Sequence, residues 1–268
     1  MAPSSKIKRK TPGIGLAAYP FAMISKTKKS WNFWLGSLWL LLFPSLAPGY
    51  EEVAVTNGGT ISGFVKIQGK SPKLPPLEVL KNKELCKNVP NERLVAGPGQ
   101  GVRYAVVTLE GITKGKAVER EAVHELDNLR CSFAPHVQAA SIGQFLVIKN
   151  SDPILHTAHA YMPAGQPHFN VGLYPGKVSR KPLVGVGIVK IVCEVHPWMS
   201  AFIVVTEHPY YAVSDVYGEY LINDIPPGTY RLKVWHETLG TQEKEVRIRE
   251  KETLQVDVNF STFKGAKK

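Results

Sequence analysis

Glycine and proline recur along the whole chain, and the apolar residues between them alternate with polar ones. The 268-residue sequence holds 23 Gly and 20 Pro, and no long stretch keeps a helical period. Alternation with a period of two places apolar side chains on one face of a half-buried strand. The 44% hydrophobic content supports a packed core. The sequence therefore predicts an all-β protein of many short strands joined by tight turns.

Eight strands can be placed from this alternation, and residues 111–130 stand apart from them. Because 111–130 are rich in charged residues, we interpret them as a surface insertion, with or without a short helix. The predicted strands are residues 60–67, 102–109, 145–149, 187–192, 201–205, 220–222, 230–235 and 245–248.

The net charge of +11 is concentrated at the N-terminus. Seven of the 33 basic residues precede residue 50, where there is no acidic residue. The remaining 26 basic and 22 acidic residues give the rest of the chain a net charge of +4, which is ordinary for a soluble surface. Nucleic-acid binding is therefore not expected, since it usually shows a basic face or a known module.

The N-terminus resembles a secretory leader. Residues 31–46 form an apolar run that follows a basic segment, and such an arrangement is typical of a signal peptide. Ala47 and Gly49 favour cleavage before Tyr50. The alternative is an uncleaved membrane anchor. The leader is unusually long, and Met23 would begin one of ordinary length, so translation starts at either Met1 or Met23.

An odd number of cysteines in an exported chain leaves one without a partner. Cys86 and Cys131 lie outside any metal-like spacing, whereas Cys193 stands among metal-binding residue types. The simplest allocation is a Cys86–Cys131 disulfide with Cys193 as a protected thiolate. The alternative is that all three are reduced and buried.

Four residues with copper-binding side chains occur at the ends of two predicted strands. Cys193, His196 and Met199 are spaced three apart just after one strand, and His156 follows another. Two imidazoles, one thiolate and a weak thioether form the ligand set of a blue-copper site rather than of structural zinc. We therefore predict one type 1 copper ion bound by these four residues.

The segment Cys-Glu-Val-His-Pro-Trp-Met at residues 193–199 resembles the ligand loop of cupredoxins, most closely that of amicyanins. Asn150, His156 and His159 also stand at the spacings of that family's upstream half. The resemblance implies the same four ligands, and it implies that Asn150 steadies the ligand loop by hydrogen bonding. Thr157 departs from the asparagine of amicyanins, but that position is not a ligand. His159 is expected to point away from the site, because it would lie on the opposite strand face.

Pro197 and Trp198 flank the loop histidine. We predict that they form an apolar surface around an exposed His196 edge, where a redox partner docks. The alternative is that Trp198 is a core aromatic beneath the loop.

The last third of the chain resembles carboxypeptidase regulatory-like domains, small transthyretin-like β-sandwiches. The likeness rests on residues 215–232, and the module is short enough that it could take strands from residues 56–110. The resemblance implies binding or scaffolding, not peptidase activity. The expected fold is a Greek-key cupredoxin-like sandwich followed by a small β-sandwich. The expected segments are a signal peptide with a long basic n-region (1–49), a copper domain (50–206), the regulatory-like module (207–262) and a tail (263–268).

These features predict an exported, periplasmic protein that carries single electrons and is not an enzyme. Its partner would be a redox protein, such as a c-type cytochrome or an oxidoreductase, and it would contact a membrane only through an uncleaved N-terminus. The alternatives are an envelope protein that binds or delivers copper without redox turnover, and a structural β-sandwich.

Overall fold

The computed structural model describes residues 49–261. The predicted tail at 263–268 and the predicted leader at 1–49, except Gly49, fall outside them. Within the described residues, no helix has both the length and the apolar character needed to cross a membrane.

The predicted all-β class is confirmed, and all eight predicted strands are present with modest changes of their bounds. Short 3-10 turns occur at Pro98–Gln100 and Pro163–Gly165. The strands of the described chain are β1 (Glu51–Glu52), β2 (Gly59–Gln68), β3 (Val106–Glu110), β4 (Lys114–Gly115), β5 (Val123–Leu129), β6 (Ser132–Ala134), β7 (Val137–Ser141), β8 (Phe145–Asn150), β9 (His156–Tyr161), β10 (Pro167–Leu173), β11 (Val178–Pro182), β12 (Gly187–Val192), β13 (Ser200–Thr206), β14 (Tyr211–Val213), β15 (Glu219–Ile225), β16 (Gly228–His236), β17 (Gly240–Ile248), β18 (Thr253–Gln255) and β19 (Val258–Ser261).

The middle of the chain forms a sandwich of two sheets. One sheet has the order β10-β9-β12-β13-β7, and the other has the order β11-β8-β5-β6. Leu126, Leu146, Ile148, Ile191 and Ile203 are fully buried between them. The strict alternation of burial along β8 and β9 shows that one face of each strand packs on this core, as period-two patterning requires.

The second sandwich draws strands from both ends of the described chain. Its sheets have the orders β14-β3-β16-β17 and β15-β2-β18, and β19 also pairs with β2. A single apolar cluster joins Ile61 and Leu109 to Tyr210, Ile225 and Leu232. The predicted boundary at residue 206 is therefore wrong, because β2 and β3 precede the copper segment yet belong with the C-terminal strands. The resemblance of 215–232 to regulatory-like domains stays a prediction.

The interpretation of residues 111–130 as a surface insertion is also wrong. Their second half is β5, which runs parallel to β8 inside the first sandwich, and its Leu126 is fully buried. In the sequence, the charged residues of this strand suggest an exposed segment. In the fold, the acidic side chains are paired with a lysine of the neighbouring strand. Lys149 on β8 lies 2.6 Å from the Glu125 carboxylate and 3.6 Å from that of Asp127.

Candidate metal centre

Two neighbouring antiparallel strands bring the predicted ligands together. The start of β9 supplies His156, and Cys193 directly follows the end of β12, whose last residue pairs with His159. The loop after Cys193 returns as β13, which is hydrogen-bonded to the other side of β12. His156 and Cys193 therefore lie at the same end of one sheet, with the loop containing His196 and Met199 beside them.

Three donor atoms converge in the first sandwich. The Cys193 Sγ lies 3.8 Å from Nδ1 of His156 and 3.8 Å from Nδ1 of His196, and the two Nδ1 atoms are 3.0 Å apart. His156 and His196 are fully buried, and Cys193 is 1% exposed. The structure thus brings together three of the four predicted ligands as a compact, buried triangle.

The outer nitrogen of each imidazole faces an acceptor. Nε2 of His156 lies 3.0 Å from Oδ2 of Asp152, and Nε2 of His196 lies 2.8 Å from Oδ1 of Asn82. Each ring therefore donates from Nε2, which assigns the lone pair of each neutral ring to Nδ1. Such outer partners fix the orientation and the tautomer of metal-binding histidines.

The residues present fit a copper ion. Two Nδ1 lone pairs and a sulfur point at one another without a donor between them, an arrangement that a cation would stabilise. Bonds of ~2.0–2.1 Å to nitrogen and ~2.3 Å to sulfur in a trigonal plane would hold sulfur ~3.8 Å from each nitrogen, as observed. The two Nδ1 atoms, 3.0 Å apart, are closer than the ~3.5 Å of that arrangement, so the imidazoles would move apart to admit the ion. The thiolate and two imidazoles are the trigonal donor set that copper favours.

The surroundings of Cys193 favour the thiolate. Burial raises the pKa of the Cys193 thiol, but hydrogen bonds from the backbone of Thr157 and His196 and from the Thr157 side chain favour the thiolate, and the pKa lies below its usual value. The Thr157 amide donates to Sγ at 3.3 Å. Burial, with smaller contributions from His156 and Lys81, lowers the pKa of His196 to about 4. Both shifts favour the protonation state that a metal requires of its ligands.

Met199, the predicted axial ligand, is 2% exposed and packs in the same cluster as Cys193. Its amide donates to the carbonyl of His196 at 3.0 Å, and its carbonyl accepts from the Cys193 amide at 3.3 Å. These two bonds close the loop on itself, so Cys193, His196 and Met199 are held by one small backbone ring. Pro197 fixes φ at the exposed tip of this loop.

Asn150 steadies the loop that carries His156, not the Cys193–Met199 loop. Its side-chain amide donates to the carbonyls of Ile154 and Leu173 at 2.8 and 2.7 Å. Its Oδ1 accepts from the amide of Asp152 at 3.0 Å. Asn150 therefore positions both His156 and the carboxylate that holds it.

The predicted docking surface at His196 and Trp198 is wrong. Trp198 is 6% exposed, and its indole N–H donates to the carbonyl of Cys131 at 3.1 Å. The physical reason is that Asn82 covers the His196 ring and that Trp198 packs in the buried apolar cluster of the first sandwich. The alternative interpretation of Trp198 as a core aromatic therefore applies. Pro197 alone stays exposed.

Cys86 and Cys131 form a disulfide, and Cys193 is the free, buried cysteine of the described chain. Cys131, Asp152 and His156 form a second compact group. This group offers no second metal site, because the sulfur of Cys131 is already bonded. His159 lies outside the triangle and instead contacts the Glu194 carboxylate at 2.6 Å.

Sequence reasoning missed Asn82 and Asp152. Asp152 has a local signal, since it lies four residues before His156 in the turn that follows β8. Asn82 lies 114 residues before His196, and its one clue is its position four residues before Cys86.

No protein-family model matches the chain, and no curated protein is significantly similar to it in sequence. Among solved structures, a purple cupredoxin from Nitrosopumilus maritimus is 19% identical, with a TM-score of 0.28, over 31% of this chain and 98% of that one. A reduced amicyanin variant is 14% identical, with a TM-score of 0.29, over 37% of this chain and 98% of that one. A copper-containing nitrite reductase from Thermus scotoductus SA-01 is 22% identical, with a TM-score of 0.29, over 35% of this chain and 25% of that one. These three structural neighbours are thus two cupredoxins and a copper enzyme, and each likeness is confined to a minor part of the chain.

Proposed function

We propose that this protein is an exported type 1 copper protein that carries single electrons between redox partners and has no catalytic activity of its own. The observation that carries the proposal is the buried triangle of Cys193 Sγ and the two histidine Nδ1 atoms. We propose Met199 as the fourth, weak ligand, because it is buried in the same backbone-closed loop.

Bound copper would supply one-electron chemistry by alternating between Cu(II) and Cu(I). The chain's contribution is to keep the donor positions the same in both states. His156 is held by Asp152 and His196 by Asn82, and the backbone ring of Cys193 and Met199 fixes the loop between them. Little reorganisation of these residues is needed when the charge at the site changes by one.

The burial of the donors favours electron transfer over copper delivery. A delivery protein must release its metal, whereas His156 and His196 here are fully buried and Cys193 nearly so. Outward movement of the metal would require both the loop and the residues above His196 to open. Copper delivery therefore remains the weaker candidate.

The Cys86–Cys131 disulfide supports the proposal of export, because disulfides persist in oxidising compartments. The partner would then be another redox protein of that compartment, such as a c-type cytochrome or an oxidoreductase. Intact-mass analysis of natively expressed protein would test export. A chain beginning near Tyr50 is expected, and a mass that includes residues 31–46 would indicate an anchored form.

Copper titration of the purified protein tests the metal assignment. One Cu(II) per chain and an intense thiolate-to-copper visible band are expected, and Cys193→Ser should abolish the band. A band that survives this substitution would place the site elsewhere. Electron transfer is tested separately by reductive titration of the copper-loaded protein, which should take up one electron reversibly per chain. Copper that is bound without a reversible couple, or that a mild chelator removes within minutes, would favour the delivery function instead.

A further inference from the structure

Asn82 connects the buried copper ligand His196 to the protein surface. The His196 ring is fully buried, and its Nε2–H donates to Oδ1 of Asn82 at 2.8 Å. Asn82 itself is exposed to solvent. An electron that leaves through the His196 ring therefore reaches solvent after one hydrogen bond, at Asn82 rather than at Trp198.

The residues around Asn82 form a surface of distinct composition, here called the cap and defined as residues 80–87. Leu80 is 56% exposed and Leu85 is 43% exposed. Three lysines and one glutamate of the cap are also exposed, which gives it a net charge of +2; they are Lys81, Lys83, Glu84 and Lys87. Apolar side chains surrounded by mainly positive charges resemble the centre and rim of a protein interface.

The cap is fixed to the sandwich that contains the ligands. The amides of Leu85 and Cys86 both donate to the carbonyl of Asn82, at 3.0 and 2.8 Å, and Cys86 is bonded to Cys131. Cys131 in turn accepts from the Trp198 indole. The cap is therefore a rigid surface above His196, and a partner docking on it would lose little conformational freedom.

We propose that the cap is the docking face for an acidic redox protein, and that electrons pass between that protein and the copper site through His196 and Asn82. This inference rests on the proposed function. In each encounter one electron leaves the reduced copper protein and enters the partner's oxidised centre, whose oxidation state falls by one. No bond is formed or broken and no proton is transferred.

Charge complementarity identifies the partner's chemistry. The lysines of the cap attract an anionic surface and accelerate encounter at low ionic strength. Leu80 and Leu85 provide the small apolar contact that is typical of short-lived redox complexes. The partner should therefore present carboxylates around an apolar patch near its own redox centre.

A redox-inert paramagnetic anion would map the docking face independently of electron transfer. Hexacyanochromate(III) is added to the isotope-labelled Cu(I) protein, and line broadening of the amide NMR signals is recorded. Line broadening centred on residues 80–87 is expected. It should vanish in the triple variant Lys81→Glu, Lys83→Glu, Lys87→Glu. The cation tris(ethylenediamine)chromium(III), used as a control, should not broaden these signals. Broadening centred elsewhere, or unaffected by the triple variant, would overturn the proposal. So would binding of the cap to anionic lipid vesicles that is tighter than its binding to acidic redox proteins.

Oxidation of the Cu(I) protein by ferricyanide then tests the route. At low salt the triple variant should react at least about tenfold more slowly than the parent. The single reversal Lys81→Glu should slow oxidation more than Lys190→Glu, which changes the net charge equally at an exposed lysine on β12. Asn82→Ala should slow oxidation even at high salt, where the lysines are screened. Equal rates in all variants would overturn the docking face while leaving the electron carrier intact. A parent protein that binds copper but is not oxidised at all would overturn the proposed function instead.

Discussion

The carboxylate of Asp152 accepts a hydrogen bond from Nε2 of His156 at 3.0 Å. The same carboxylate accepts from the amides of Arg130 and Cys131, each at 2.7 Å. Asp152 therefore links a proposed copper ligand to the turn that contains one half of the disulfide. Its orientation is fixed from both sides, and so is that of the imidazole.

Asp152→Asn should lower copper affinity by about 10- to 100-fold, the usual cost of losing an outer partner of a metal-binding histidine. The amide has one acceptor oxygen in place of two and turns an N–H₂ group toward a neighbouring donor. Competition with a chelator of known affinity measures the effect. Asp127→Asn is the matched control, because Asp127 is a buried carboxylate that binds Ser151 and not a ligand. Equal losses in both variants would contradict a positioning role for Asp152.

The His156, Cys193 and His196 triangle could be predicted because each residue lies in a short motif at a strand end, and neighbouring strands bring such ends together. Asn82 could not be predicted, since its contact with His196 depends on the path of the whole segment between them. The prediction that Trp198 is exposed was wrong for the same reason, because residues far away in the sequence determine which loop side chains are buried. Strand β5 was missed because its burial does not alternate, since Leu126, Asp127 and Asn128 are buried in succession. The charges of Glu125 and Asp127, which suggest a surface segment, are paired with Lys149 in the fold.

Met199→Leu should leave copper bound but raise the reduction potential. Leucine is close to methionine in volume, so the loop should keep its packing. The substitution removes a weak donor, which stabilises Cu(II) more than Cu(I). Spectroelectrochemical titration of parent and variant measures the shift. An unchanged potential and an unchanged spectrum would show that the thioether of Met199 is not an axial ligand.

Replacing both Cys86 and Cys131 by serine should lower the free energy of unfolding by about 2–4 kcal/mol. The disulfide closes a loop with a sequence separation of 45, and such a loop restricts the unfolded chain by about 4 kcal/mol at most in the entropic account. Urea unfolding of the metal-free protein measures the loss. A reductant should lower the parent to the stability of the double variant and leave the variant unchanged. A parent protein whose free energy of unfolding is unchanged after full reduction of the disulfide would refute this contribution.

Trp198→Ala should destabilise the fold by about 3–5 kcal/mol, because it removes a large side chain from a packed core. Trp198→Phe should cost less, about 1–3 kcal/mol, since the ring is largely kept while the carbonyl of Cys131 loses its donor. Thermal and urea unfolding of the metal-free variants give the comparison. If Trp198→Ala were as stable as the parent and only electron exchange slowed, the indole would have to be a surface contact after all.

The stability of the second sandwich should fall in mild acid because of His236. This side chain is 1% exposed, and its Nδ1 accepts from the amides of Thr238 and Leu239 at 3.2 and 3.3 Å, which requires the neutral ring. Burial lowers the pKa of His236 to about 4, with His136 acting in the same direction and Glu237 and the Arg103 backbone opposing it.

Between about pH 4 and 6.5 the unfolded chain therefore binds a proton at His236 that the folded chain excludes, so stability rises with pH in this window. The contribution is complete above the unfolded value near 6.5 and is lost as the pH falls toward 4. His236→Asn keeps an acceptor toward Thr238 but does not titrate. The stability gap between parent and variant, measured by urea unfolding of the metal-free proteins, should be about 2–3 kcal/mol smaller at pH 4.5 than at pH 7.5. A gap that stays constant across this range would mean that His236 binds its proton equally in the folded and unfolded chains.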